Sequence, residues 1–203
     1  LRALIAPHAG YIFSGSTAGR AFALLRGEAG RPVRRVIVLA PAHTLRFRGV
    51  ASHAAAGFET PLGVAPLDRE FLARLEERYP FVRPNEAAHR QEHAIEVEIP
   101  FLQAALGGGF RLVPLVMWDQ GAEACRQIAG ALAQLIEEEE REAPPSAAAP
   151  AAPAAARGAT LIVASSDLYH GPSHKECLES DQRTIRLIET GDAEGLIEAV
   201  EAG

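Results

Sequence analysis

Apolar residues along this chain fall into two alternating patterns. Short runs rich in Val, Ile and Leu recur at Leu1 to Ala6, Arg35 to Ala40, Arg111 to Trp118 and Thr160 to Ala164, each bounded by Pro, Gly, Ser or His. Runs that are apolar throughout, rather than alternating, predict strands buried on both faces, as in a parallel sheet. Between them the spacing changes to that of helices: Ile95, Ile99, Leu102 and Leu106 follow an i, i+4, i+7, i+11 pattern, and further helices are predicted over Thr17 to Leu25, Asp68 to Glu77 and Ala122 to Ile136. The alternation predicts an α/β fold with a mostly parallel central sheet flanked by helices. Pro100 either kinks the helix around it or marks its first turn. The segment Phe58 to Pro66 has two prolines and a glycine among apolar residues, which suits an edge strand or hairpin beside the parallel core.

The pattern breaks down after Glu137, where four acids lead into Pro and Ala with almost no side chain able to build a core. We expect a flexible insertion, disordered over 141–158, within a single domain covering 1–203. The chain starts without Met and stops after a helical pattern, so it reads as a fragment truncated at the C-terminus. A net charge of -6, with Lys plus Arg at 20 against 26 acids, gives no basic surface for phosphate backbones or anionic lipid. No nucleic acid and no membrane partner is expected. The two cysteines, Cys125 and Cys177, form neither a disulfide framework nor a thiolate zinc site by spacing, which points to a reducing, cytoplasmic setting.

Candidate chemistry collects at the strand ends. The first strand runs into Pro7-His8-Ala9-Gly10-Tyr11, the second into Pro41-Ala42-His43-Thr44, and the fourth into Ser165-Ser166-Asp167-Leu168-Tyr169-His170-Gly171. In an open parallel sheet the loops after the carboxyl ends converge on one crevice. Neutral imidazoles meeting a carboxylate or phenolate there suit a first-row transition metal, so His8 and His43 are candidate ligands. In His89-Arg90-Gln91-Glu92-His93-Ala94-Ile95-Glu96, His93 and Glu96 stand i, i+3, which would let the carboxylate orient the ring and make His93 a catalytic acid or base. Tyr11, His93, Asp167 and His170 are candidate substrate contacts. We expect His53, His89 and His174 at the surface and Cys125 in core packing.

Other chemistries fit less well. The glycines of Gly10 to Thr17 have phosphate-loop spacing but lack the lysine, and they are better read as tight turning with Ser14 or Ser16 capping the next helix. The H-E-x-x-H zinc motif is absent, and so is the G-x-S-x-G that Ser165, Ser166 and His170 would need for hydrolase chemistry.

The segments PHAGYIFSG, LAPAHT, FETPLG, EHAIEVEIPFL and SSDLYHG, in this order, resemble the Memo family, called AmmeMemoRadiSam system protein B in prokaryotes. The resemblance implies a fold similar to the LigB-like class III extradiol dioxygenases, binding of iron or copper, and redox activity. It places His8 and His43 at the family's metal-binding histidines and His93 at a third histidine of the same pocket. Tyr169 stands where eukaryotic members have a metal-binding cysteine. It is therefore a candidate third ligand, with Asp167 or His170 as substitutes. The implied partners are a small-molecule or peptide ligand and, functionally, a radical-SAM protein. The contrasting expectation is a non-catalytic binding protein that uses the same pocket.

Overall fold

A computed structural model describes residues 2–27, 33–142 and 159–202. The strands are β1 (Ala3–Ala6), β2 (Val33–Pro41), β3 (Val50–Ser52), β4 (Gly57–Thr60), β5 (Gly63–Pro66), β6 (Val82–Pro84), β7 (Arg111–Met117) and β8 (Ala159–Ser165). The helices are α1 (Tyr11–Ala23), α2 (Arg69–Arg78), α3 (Glu86–His89), α4 (Ile99–Leu106), α5 (Ala122–Glu142), α6 (His174–Thr190) and α7 (Ala193–Ala202). Six strands form one sheet in the order β1-β8-β2-β7-β3-β6. All neighbours in it run parallel except β3 against β7. The expected α/β class and mostly parallel sheet are therefore present, consistent with a LigB-like fold.

The centre of the sheet shows why the strand sequences read as unbroken apolar runs. Val36, Ile37 and Val38 of β2 and Leu112, Val113, Leu115 and Val116 of β7 are completely buried, with side chains packed on both faces. Helices cover those faces: Phe22 of α1 stacks on Phe101 of α4 at 5.5 Å, and α2 packs on α5. Asp68 caps α2 by accepting from the Phe71 N–H and also takes Arg35 Nε at 2.7 Å, so one carboxylate ties a helix start to the central strand.

Several boundaries differ from the sequence expectation, each for a local reason. α1 begins at Tyr11, not Thr17, because the Gly10 carbonyl already accepts from Phe13 and Ser14. Its first turn leaves Ile12 and Phe13 exposed and so carries no burial signal. Gly10, not Ser14 or Ser16, is the cap, and Gly15 lies inside the helix, so no phosphate-cradling loop exists there. Pro100 sits in the first turn of α4. The α4 chain is ended by Gly107 at φ 71, a left-handed conformation that favours glycine. Phe58 to Pro66 forms the β4–β5 hairpin as a separate two-stranded sheet. The three-residue strands β3 and β6 were not predicted. Gly49 makes their pairing possible, since a Cβ there would meet the Phe81 carbonyl oxygen at 2.2 Å.

The acid run is not the start of a loose segment. Residues 137–142 continue α5, where Glu139 pairs with Arg35 and Arg74 and Glu138 with Arg78. Of the insertion expected at 141–158, residues 143–158 lie outside the described residues. Among the described residues no helix is long and apolar enough to cross a membrane.

His53 and His89 also depart from expectation, since neither stands free at the surface. His89 is buried on α3, its ring 4.6 Å from that of His53 and its Nε2 3.3 Å from the Ala51 carbonyl. Burial pushes His89 down to about 4, with His53 adding to the effect and the Ala51 carbonyl opposing it. A histidine lowered from 6.5 stabilises the fold fully above pH 6.5, and this contribution is lost as pH falls towards 4, because the unfolded chain takes up the proton first. We expect chemical-denaturation stability to fall by up to about 3 kcal/mol across that window. The slope should shrink in His89→Leu; an identical slope in both proteins would show that His89 does not drive it.

Candidate metal centre

The carboxyl ends of β1, β2 and β8 lie side by side because β8 pairs with both other strands. The loops that follow carry His8, His43 and Asp167, and a fourth loop, after α3, brings Glu92 and His93. Three imidazoles meet there. The ring centroids of His8 and His43 are 5.2 Å apart, those of His43 and His93 5.2 Å, and those of His8 and His93 6.0 Å. A ring bound through one nitrogen at about 2.1 Å has its centroid roughly 3.2 Å from the ion, so rings sharing one cation stand about 4.5–6 Å apart. The three centroid separations fall in that range, while the donor-atom group that closes within 4.8 Å among the described residues is His43, Glu92 and His93, without His8.

Two of the rings are held from behind. His43 Nδ1 is 2.9 Å from Glu92 Oε1, and the His43 backbone N–H donates to Oε2 of the same carboxylate at 2.6 Å. Oε1 also accepts from the backbone N–H groups of His93 at 2.9 Å and Ala94 at 3.0 Å. A carboxylate that only accepts makes His43 carry its proton on Nδ1, which leaves Nε2 free to bind a cation. Burial alone would raise the Glu92 carboxyl, but the hydrogen bonds from His43 and from Ala94 outweigh it and hold the group below its ordinary value. Donor atoms of His43, Glu92 and His93 lie within 4.8 Å of one another, so spacing alone would admit Glu92 as a ligand. With four N–H donors already on it, Glu92 is better placed to orient His43.

His8 is buried, and its Nδ1 is 2.8 Å from the Ser165 hydroxyl at the end of β8. Its backbone N–H and that of Ala9 both donate to Asp167 Oδ1, at 2.6 and 2.9 Å, which locks the β1 loop to the β8 loop. Asp167 Oδ2 stands 3.7 Å from His8 Nε2 and offers a carboxylate to the same space. Burial pushes the His8 imidazole below its ordinary value, against the pull of Asp167, which favours the neutral form that metal ligation requires.

Other candidates are placed differently. Leu168 takes φ 61, a left-handed conformation; on one side of it Asp167 contacts His8 and on the other Tyr169 contacts α6. The Tyr169 N–H donates to Asp181 and its hydroxyl to Glu176 at 2.9 Å. That bond pushes the phenol further from the tyrosinate a ferric site would use. Among the described residues its side-chain and backbone hydrogen bonds go to α6 and not to the three imidazoles. His170 and His174 are exposed. Tyr11 opens α1 with its ring 5.7 Å from Phe101, and Cys125 is half-buried, its Sγ 3.3 Å from the Gln120 carbonyl. His93 is not on a helix with Glu96; its carboxylate neighbour is Glu92, with Nδ1 3.5 Å from Oε1. Glu92 is the residue that sequence reasoning missed. The adjacent Glu-His pair was the available signal, but its meaning depends on a loop that folds the carboxylate back onto its own following N–H groups.

A family model described as Memo-like protein matches residues 1–203. A MEMO1 family protein of Methanopyrus kandleri is 33% identical over 201 residues, covering 99% of this chain and 64% of its own length. MEMO1 family proteins of Saccharolobus solfataricus, 33% identical, and Saccharolobus islandicus, 32% identical, each align over 197 residues, 97% of this chain and 63% of theirs. The chain therefore spans just under two thirds of the length of these relatives. The match reaches across all the loops that build the imidazole cluster, and the chain belongs to the Memo-like protein family.

Proposed function

We propose that His8, His43 and His93 hold one iron or copper ion and that the chain works as a dioxygenase-like oxidoreductase on a small-molecule or peptide ligand. The observation that carries this reading is the meeting of three imidazoles from separate loops at 5.2 to 6.0 Å, two of them anchored through Nδ1. Neutral imidazole suits iron and copper, and such an ion supplies redox chemistry and Lewis acidity with positions left open for a ligand. The chain's own residues do the rest. Glu92 fixes the orientation of His43, Ser165 that of His8, and the buried β8 end shields the inner side from water.

The outer side is open. The side chains of His43 and His93 are 42% and 52% exposed, so a ligand enters over these two rings. Asp167 Oδ2, beside His8 Nε2, is placed to hold a proton or a hydroxyl of that ligand. Tyr11 and His170, both exposed, remain candidate contacts for that ligand. Tyr169 stays with Glu176 in this reading and leaves the third ligand position to His93, in place of the acid–base role first given to that ring. A cytoplasmic setting and a functional link to a radical-SAM protein belong to the same proposal.

Metal analysis of purified protein tests the centre: His8→Ala and His43→Ala should each reduce bound metal to background, and unchanged stoichiometry in both would remove the proposed ligands. His93→Ala should weaken the metal at least tenfold; full retention with activity lost would return His93 to a proton-carrying role. Iron-loaded protein should consume oxygen with catechol-type compounds faster than free iron does, whereas a pure binding protein would not. Glu92→Gln, which replaces an accepting oxygen with a donating NH₂, should lower affinity in a Co²⁺ titration by about 10–100-fold while the fold is retained.

A further inference from the structure

Behind His8 lies a buried carboxyl group that the metal reading leaves unused. Glu98, in the 3₁₀ turn Glu96–Glu98 before α4, is completely buried. Its Oε1 is 2.9 Å from Ser165 Oγ, and among the described residues no donor reaches Oε2. The same Ser165 oxygen is 2.9 Å from the Ala94 carbonyl and 2.8 Å from His8 Nδ1. One hydroxyl thus joins the end of β8, the His93 loop, the His8 loop and the turn into α4.

Counting protons decides how those three contacts are made. A serine hydroxyl has one proton to give and two lone pairs to accept with. The Ala94 carbonyl can only accept, so the Ser165 proton goes there. Both other partners must then donate to Ser165, His8 through Nδ1–H and the carboxyl through an O–H. We infer that Glu98 is a positioning residue carried in the core as a neutral carboxylic acid, which through Ser165 fixes His8 as the Nδ1–H tautomer with Nε2 unprotonated. The consequence for metal binding rests on the proposed function; the protonation pattern does not.

The other assignments each leave a cost. An ionised Glu98 accepting from Ser165 would strip the Ala94 carbonyl of its donor and leave a charged oxygen without a partner in the core. A Ser165 that donated to His8 would leave Ala94 unpaired as well. Burial supports the neutral form by pushing Glu98 up to about 8, with Asp167 adding to this and the Ser165 hydrogen bond opposing it. The titratable groups around it are His8 through Ser165, Asp167 after β8, and Tyr11 of α1, whose phenol is itself raised by burial and by Glu96 and Glu98. Ser165 then ties the His8 ring to the backbone carbonyl of Ala94, the residue after His93, through one defined chain of hydrogen bonds.

Infrared difference spectra of the metal-free protein against Glu98→Gln at neutral pH should show one carboxylic-acid carbonyl band, lost in the variant. Nitrogen-15 NMR of the His8 ring should show Nδ1–H in the wild type. Glu98→Gln should keep that tautomer, because its amide N–H replaces the acid O–H, while Glu98→Leu should weaken it and Ser165→Ala should abolish it. A carboxylate band with no acid band, or His8 protonated on Nε2 in the wild type, would overturn the inference. A parallel Co²⁺ titration separates this result from the metal reading: the expected tautomer without Co²⁺ binding sinks the proposed centre alone, and Co²⁺ binding with the wrong tautomer sinks this inference alone.

Discussion

An imidazole offers a lone pair to a cation only from the nitrogen that carries no proton, so the groups behind each ring decide what it can do in front. In this protein those groups are buried at the carboxyl edge of the sheet. His43 donates to Glu92, whose carboxylate is filled by N–H groups, and His8 rests on a serine that ends a core strand. The imidazole cluster depends on these two anchors, because without them each ring would be free to turn and exchange its tautomer.

The anchors in turn depend on strand order. β8, last of the strands in sequence, inserts between β1 and β2, the first two. This brings Ser165 and Asp167 to His8 across more than 150 residues of chain. The Asp167 carboxylate then closes the seam by accepting the N–H groups of His8 and Ala9. Parallel pairing puts all three carboxyl ends on one edge, and the buried apolar interior of β2 and β7 backs that edge. The cluster is thus built on strand ends held by the core, with His43 and His93 exposed on its outer side.

Polar burial on this edge follows the rule that buried polar groups come in completed sets. Glu92 is ionised because donors surround it; Glu98, with one hydroxyl neighbour and an unpaired oxygen, is held neutral by its surroundings. Two glutamates six positions apart thus take opposite forms around one cluster of imidazoles. Composition says nothing of this difference, since it arises from how many N–H groups each loop directs inward.

The sequence by itself determined the α/β class, the four main strands, and the placing of His8 and His43 just past strand ends, since unbroken apolar runs and Pro-His boundaries are local features of the chain. Phe58 to Pro66 was legible as an edge strand or hairpin and Pro100 as a kink or a first turn, and the structure takes the second of each pair. Only the tertiary structure decided that Glu92, not Glu96, serves the imidazoles, that Tyr169 turns to α6, that α1 starts six residues early, that the acids at 137–142 belong to a helix, and that His89 lies buried. Each of these outcomes depends on a partner distant in sequence or on a loop dihedral such as that of Leu168. Periodicity in one segment carries no information about the segment it will meet.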